Sequence, residues 1–181
     1  MAGMGGTIDT GIFKTGYGEL IIGSFENQLC LCDWRYRKMR SAIDQRIEAG
    51  LQAAYMESES DIIIETRRQL FAYFAGELRL FDLPFLLVGS DFQKKVWKLL
   101  QEIPFGKTES YAGLSEKLGD VKAIRAVASA NGANALSIIV PCHRVIGSDG
   151  SLCGYAGGLQ TKRRLLRLEN AFAQGELFPQ D

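Results

Sequence analysis

Apolar positions along this chain change spacing several times, and each change marks an element. Residues 18–24 and 28–34 read as two strands, and Phe25-Glu26-Asn27 forms the short turn between them. Residues 41–56 then carry Ile43, Ile47, Leu51 and Ala54 at helical spacing. A second helix is expected over 61–75, with Ile64, Leu70, Phe71 and Phe74 on its inner side, Asp61 as N-cap and Gly76 as the stop. Residues 81–87 read as an edge strand, because Pro84 cannot donate to a ladder. The first ten residues look like a frayed end.

Gly89-Ser90-Asp91 is the expected joint between two halves, 1–88 and 89–181. Beyond it, 92–100 is an amphipathic helix with Phe92, Val96, Leu99 and Leu100 inward. Pro104-Phe105-Gly106-Lys107 is a turn, and Ser110 caps a helix over 111–118. Gly119-Asp120-Val121 breaks that helix, and another runs over 122–130 to Asn131-Gly132. Two short helices across a glycine-bearing turn match a helix-turn-helix, with Leu114, Leu118, Ile124 and Val127 as its core. The outer side of the second helix is expected to hold Ala123, Arg125, Ala126, Ala128, Ser129 and Ala130. Small residues let a helix approach another surface closely, although helices packed inside a protein also use alanine. Lys122 and Arg125 near its start turn the reading toward DNA. Ile138-Ile139-Val140 reads as a buried strand ended by Pro141, and 161–170 as a last helix with Leu165, Leu166 and Leu168 inside and Lys162, Arg163, Arg164 and Arg167 outside. The pattern as a whole is α/β (α+β): a small N-terminal α/β unit followed by a mostly helical C-terminal one.

Composition narrows the class. The 181 residues are 46% hydrophobic and 23% charged, as in an ordinary soluble globule. No apolar stretch reaches membrane-spanning length, and Met1-Ala2-Gly3-Met4-Gly5-Gly6 lacks the basic and apolar regions expected of a signal peptide. Four cysteines in a chain this long do not make a disulfide scaffold, so a reducing cytoplasm is the expected setting. The net charge of zero hides an asymmetry: residues 1–90 carry 9 Lys+Arg against 12 Asp+Glu, and residues 91–181 carry 12 against 9. A basic second half is a modest hint of phosphate contact, and a chance split of surface charge reads the same.

The candidate chemistry sits at Pro141-Cys142-His143-Arg144-Val145, where one cysteine stands beside the only histidine of the chain. A thiol becomes a strong nucleophile when it loses its proton, and a neighbouring imidazole can take it. A Cys-His dipeptide is by itself a weak signal, and a buried cysteine beside a satisfied histidine has the same letters. Glu169, near the end of the last helix, completes a possible nucleophile–base–carboxylate set; alone it reads equally as a solvated surface acid. Gly154-Tyr155-Ala156-Gly157-Gly158 offers exposed backbone next to an aromatic ring. No G-x-G-x-x-G fingerprint is present, so no nucleotide-type cofactor is expected. Cys30 and Cys32 alternate onto one strand face, but no histidine or acid cluster lies near enough to suggest a metal.

These motifs, with Arg125-Ala126-Val127 and Asn134 upstream, resemble the O6-alkylguanine-DNA alkyltransferases, the methylated-DNA–protein-cysteine methyltransferases, over roughly residues 89–170. The resemblance implies a ribonuclease-H-like N-terminal domain, no cofactor, and a monomer acting on double-stranded DNA that contains O6-alkylguanine. It implies that Cys142 takes the alkyl group once and irreversibly. It makes His143 the base, acting through a water, with Glu169 orienting it and Asn134 bracing the turn that carries the active-site strand. Tyr111 would donate toward the guanine ring and help rotate the backbone phosphate, and Arg125 would fill the stack vacated by the flipped base. The carbonyls of Cys142 and Val145 would accept from the exocyclic amine, while Tyr155 and the Ala156 amide would bind O6. Read from the residues, the small side chains around Arg125, Ala126 and Ser129 among them, suit a narrow minor groove, and Lys107, Lys122, Arg144 and the basic helix 162–167 are candidate phosphate contacts, each of which alone reads first as a solvated surface charge. The sequence departs from the family in having Ala135 rather than Pro after Asn134, and Ala156 where a hydroxyl residue is frequent. The competing functions are a non-catalytic lesion binder of the alkyltransferase-like type, which the presence of Cys142 opposes, a thiol hydrolase, and a sequence-specific regulator. The alkyl-transfer reading requires the Cys142 sulfur to be poised as an anion.

Overall fold

A computed structural model describes residues 5–171. The N-terminal half is built on a four-stranded sheet. Strands β1 (Gly6–Thr15), β2 (Gly18–Phe25) and β3 (Gln28–Trp34) form an antiparallel meander. Helix α1 (Arg40–Leu51) carries the chain to β4 (Ala53–Glu57), which pairs parallel with β1. The order β3-β2-β1-β4 fits the ribonuclease-H-like architecture that the resemblance implies.

Several expectations change here. Residues 6–10 are not frayed but open the central strand β1; the start of the expected frayed end, 1–4, lies outside the described residues. The helix expected over 41–56 stops at Leu51, where Gln52 takes a left-handed backbone and lets Ala53 turn into β4. Residues 81–87 form no ladder and make only an isolated bridge from Phe85 to Leu29. Helix α2 (Asp61–Phe74) is capped by Ser60, whose hydroxyl accepts from the Ile63 amide, so Asp61 is the first helical residue rather than the cap. Its buried stripe is Ile63, Thr66, Gln69, Leu70 and Tyr73, which leaves Ile64 and Phe71 facing outward. A buried Gln and Thr on this stripe, each hydrogen-bonded, shift the apolar arc from the one that hydrophobicity alone selects.

Helix α3 (Asp91–Gln101) opens with a reciprocal capping box between Ser90 and Gln93. It buries Val96, Trp97 and Leu100 but leaves Phe92 partly exposed. A side chain at Gly89 would run into the Trp97 ring, which explains a glycine at the joint. A two-residue β5 (Glu109–Ser110) leads into α4 (Tyr111–Lys117), capped by Ser110 as expected. Helix α5 (Ile124–Gly132) begins two residues later than expected, so Lys122 lies in the turn before it. Leu114 and Val127 are fully buried between the two helices, whereas Ile124 is partly exposed. Ala130, expected on the outer side of α5, is buried. Short strand β6 (Val145–Ile146) pairs with β5, and α6 (Leu159–Leu168) closes the described chain.

One apolar core joins the halves. It includes Leu20, Trp34 and Leu70 from the sheet side and Trp97, Val140, Val145 and Leu165 from the helical side. A smaller cluster under α1 holds Ile8, Leu31, Ile43 and Ile47. A bulge in the β2–β3 pairing skips Cys30, and Cys30 and Cys32 fall in different clusters, so their sulfurs do not share a face. Among the described residues no group of three or more His, Cys, Asp or Glu could hold a metal ion, and no helix is long and apolar enough to cross a membrane.

Candidate active site

The segment between α5 and the nucleophile is not a regular strand. Ala135 to Ser137 dock on the outer edge of β3: Cys32 N–H donates to the Ala135 carbonyl at 2.8 Å, and Ser137 N–H to the Cys32 carbonyl at 2.7 Å. The chain then reverses through Ile138, which has φ +73°, an uncommon conformation for a β-branched residue. Asn134 holds this reversal from inside, its amide donating to the Val140 carbonyl at 2.8 Å while its oxygen accepts from Leu136 N–H at 3.0 Å. Asn134 is thus bonded to both sides of this turn, and the segment that follows, expected as a strand, is not one. Pro141 follows, and Cys142–Arg144 make one turn of 3-10 helix.

That turn sends its three side chains two ways. Cys142 faces a cleft and is 4% exposed. His143 and Arg144 point backward into a buried polar cluster around Glu169. Glu169 Oε1 accepts from His143 Nε2 at 2.8 Å and from the Tyr73 hydroxyl at 2.7 Å. Arg144 donates to both Glu169 oxygens, through Nε at 2.9 Å and Nη2 at 3.0 Å, and to the Ile103 carbonyl at 2.6 Å. Glu169 thus reaches His143, which sequence alone leaves open. Arg144 does not reach the surface, so its expected role as a phosphate contact is corrected to a buried ion pair.

The electrostatics assign protons. Burial alone would raise the Glu169 carboxyl, but hydrogen bonds and charge from His143 and Arg144 outweigh it and hold its pKa down at about 2. Burial lowers the His143 pKa against the pull of Glu169, so the imidazole is neutral at physiological pH. Its Nε2 faces a carboxylate and so carries the proton, which leaves Nδ1 a lone pair. Nδ1 is buried and has no hydrogen-bond partner. Burial also pushes the Cys142 thiol up, with an opposing hydrogen bond from Asn134. The sulfur is therefore a resting thiol, not the standing anion that the sequence reading requires, and its proton must leave in the course of reaction.

In front of Cys142 lies an open cleft of about 1080 Å³. It brings together most of the expected recognition residues: Tyr111, Arg125, Ser129, Asn134, Tyr155 and Ala156. Arg125, Ala126, Ala128 and Ser129 are all exposed on α5. Burial pushes the Tyr111 hydroxyl up to about 12, so it is a protonated donor. Tyr155 is held by Trp34, whose indole N–H donates to its hydroxyl at 3.1 Å. The Cβ that Gly157 lacks would strike the Trp34 ring, so this glycine lets the loop close onto β3. Val145 lies behind the cleft, and its carbonyl already accepts from Lys162 Nζ at 2.5 Å.

Lys162 corrects a second expectation. It is fully buried, not on the outer face of α6, and its ammonium also donates to the Cys153 and Gly154 carbonyls at 2.9 and 3.3 Å. Burial lowers its pKa to about 8. Lys107, Lys122, Arg164 and Arg167 remain exposed. Sequence reasoning missed the contribution of the other half: Tyr36, Arg37, Lys38 and Met39, between β3 and α1, line the same cleft. Arg37 donates to the Asn134 and Gly132 carbonyls. The one signal for this was a basic, loop-like stretch directly after a strand.

Comparison with known proteins agrees with this geometry. A family model described as the 6-O-methylguanine DNA methyltransferase DNA-binding domain matches residues 91–171. A methylated-DNA–protein-cysteine methyltransferase of Methanosarcina acetivorans is 41% identical over 160 residues, 88% of this chain and 97% of that protein. One from Methanosarcina barkeri is 55% identical over 158 residues, 87% and 94% of the two chains. The crystal structure of Mycobacterium tuberculosis OGT in complex with DNA superposes with a TM-score of 0.75 at 38% identity, covering 91% of this chain and 93% of that one. Similarity of this extent runs well beyond the Cys-His motif and through both halves, and the chain belongs to the methylated-DNA–protein-cysteine methyltransferase family.

Proposed function

We propose that the protein repairs O6-alkylguanine in double-stranded DNA by moving the alkyl group irreversibly onto Cys142 Sγ. The observation that carries this reading is a buried thiol at the wall of an exposed cleft, backed by a neutral histidine whose free nitrogen is uncommitted. The thiol proton passes to His143 Nδ1 through a water, and the imidazolium is stabilised by Glu169 through Nε2. Sulfur attacks the alkyl carbon as the bond from that carbon to O6 breaks. The leaving guanine anion receives a proton, for which the Tyr111 hydroxyl is the candidate donor. A low-dielectric pocket favours generating the thiolate only when substrate is present to consume it.

An O6-alkyl carbon inside a stacked duplex cannot be attacked in line, so the nucleotide must be extruded. The exposed small-residue face of α5 suits the narrow minor groove, and Arg125 suits the gap left in the stack. No hydrogen bond or ion pair commits the Arg125 side chain among the described residues, which leaves it available for that use. Lesion recognition of this kind needs no base code, because phosphate contacts and the cost of flipping suffice. Lys107, Lys122 and the exposed arginines of α6 are the phosphate contacts in this scheme. The product is a thioether without a leaving group, so each molecule acts once, as a monomer and without cofactor, in a reducing compartment that keeps the thiol free.

The test is a titration with a duplex carrying one O6-methylguanine. Repair should stop when restored guanine equals the amount of protein. Repair that continues through many equivalents would point to a turnover enzyme, and none at all to a binder.

A further inference from the structure

Asp33 is a carboxylate where the strand pattern of β3 calls for an apolar side chain, and it is fully buried. Charges in such places are kept only when every oxygen is engaged. Oδ1 accepts from the Trp34 amide at 2.9 Å and from the Ser137 hydroxyl at 2.9 Å. Oδ2 accepts from Arg37 at 3.1 Å and from Arg40 at 2.9 Å. Two of these partners lead directly to the active-site turn. Ser137 is the residue before the strained Ile138. Arg37 passes the grip on, donating to the carbonyls of Gly132 and Asn134.

We infer that Asp33, a residue of the N-terminal sheet, is a positioning residue for Cys142, acting through Ser137 and Arg37. The inference rests on the alkyl-transfer reading above. The reversal at Ile138 is costly for a β-branched residue and persists only if its surroundings over-determine it. Asn134 restrains it from one side and Asp33 from the other. The nucleophile stands four residues beyond Ile138, so slack in the reversal becomes an error in where the sulfur points. Attack on carbon requires the sulfur in line with the breaking bond, and a displacement of about 1 Å costs on the order of a hundredfold in rate. The division of labour follows: the helical half carries the reactive groups, and the sheet half sets their aim.

The experiment measures the rate constant for Cys142 alkylation at saturating methylated duplex, with end-point stoichiometry and duplex affinity read in the same samples. Asp33→Asn keeps the shape and loses the charge that holds Arg37; Ser137→Ala removes a single hydroxyl and is the variant that decides if Asp33→Asn fails to fold. The expected result is a rate about a hundredfold lower for Asp33→Asn and about tenfold lower for Ser137→Ala. Both should still reach one alkyl group per folded protein and keep wild-type affinity for the lesion duplex. A merely structural role would instead lower the reactive fraction and leave the rate of that fraction unchanged, and this outcome overturns the inference. Wild-type rates in both variants overturn it as well. Failure of the wild-type protein to become alkylated would instead count against the function itself.

Discussion

The two sides of Cys142 are built on opposite plans. Behind it, Glu169 accepts four hydrogen bonds from Tyr73, His143 and Arg144, and every member of the set is buried. In front of it, α5 presents Arg125, Ala126 and Ser129 to solvent, with no side-chain bond fixing the arginine among the described residues. The rear cluster is preorganised, since a half-satisfied buried network is worse than none. In the proposed reaction the front face meets a substrate that is itself deformed, so the chemistry falls to the preorganised cluster and recognition to a face where the partner supplies the missing contacts.

The comparison breaks most sharply at the sulfur between the two sides. Cys142→Ala should abolish transfer while lesion-duplex binding, measured by fluorescence anisotropy, stays near wild type. Next comes the rear cluster. Glu169→Gln leaves Arg144 buried without its counter-charge, so urea unfolding should show a loss of about 3–5 kcal/mol. Alkylation by the fraction that remains folded should slow by about a hundredfold or more, since the His143 tautomer is no longer fixed. The front face should behave differently. Arg125→Ala should slow repair in duplex DNA by about 10- to 100-fold, yet change the reaction with free O6-benzylguanine by less than about twofold, because the few kcal/mol cost of flipping, which stack filling offsets, arises only in a duplex. Equal losses on both substrates would remove the distinction between the two sides.

Acid should act on the rear cluster. Glu169 has a depressed folded pKa, so its stabilisation is complete above about 4.5 and is lost as pH falls toward about 2. His143 is also depressed, so the unfolded chain binds a proton below about 6.5 that the folded site refuses, and stability declines from there downward. Melting temperature against pH should therefore fall in two stages, and Glu169→Gln should flatten the lower one. The smallest effect is expected far from both sides: Phe71→Ser, on the outward face of α2, should change stability by no more than about 0.5 kcal/mol and leave transfer unaltered.

The sequence made the reactive residues legible but not their surroundings. The Cys142-His143 pair, Asn134, Tyr155 and Arg125 are found by motif, and the structure gathers them at one cleft and the wall behind it. Strands β2 and β3 and the Ser110 cap follow from local pattern. Strand β1 carries little strand pattern of its own because Gly6 and Gly11 interrupt its apolar positions, and its pairing on both edges is a tertiary fact. The helical pattern of α1 runs on past Leu51 because Ala53 and Ala54 also suit a helix; only the left-handed Gln52 ends it. The fates of Arg144 and Lys162 could not be read, since a buried cation and a surface one have the same letter. Their partners lie 25 and 17 positions away, at Glu169 and the Val145 carbonyl. Asp33 belongs to the same class, a charge whose meaning appears only when Ser137 is folded against it.

Alkyl transfer to Cys142 can be read directly by intact-mass measurement after the reduced protein is mixed with excess O6-methylguanine duplex, followed by peptide mapping. The predicted result is a gain of a single methylene per protein, confined to the peptide that contains Cys142. An unchanged mass, or a methylene mapped to the exposed thiol of Cys153, would contradict it.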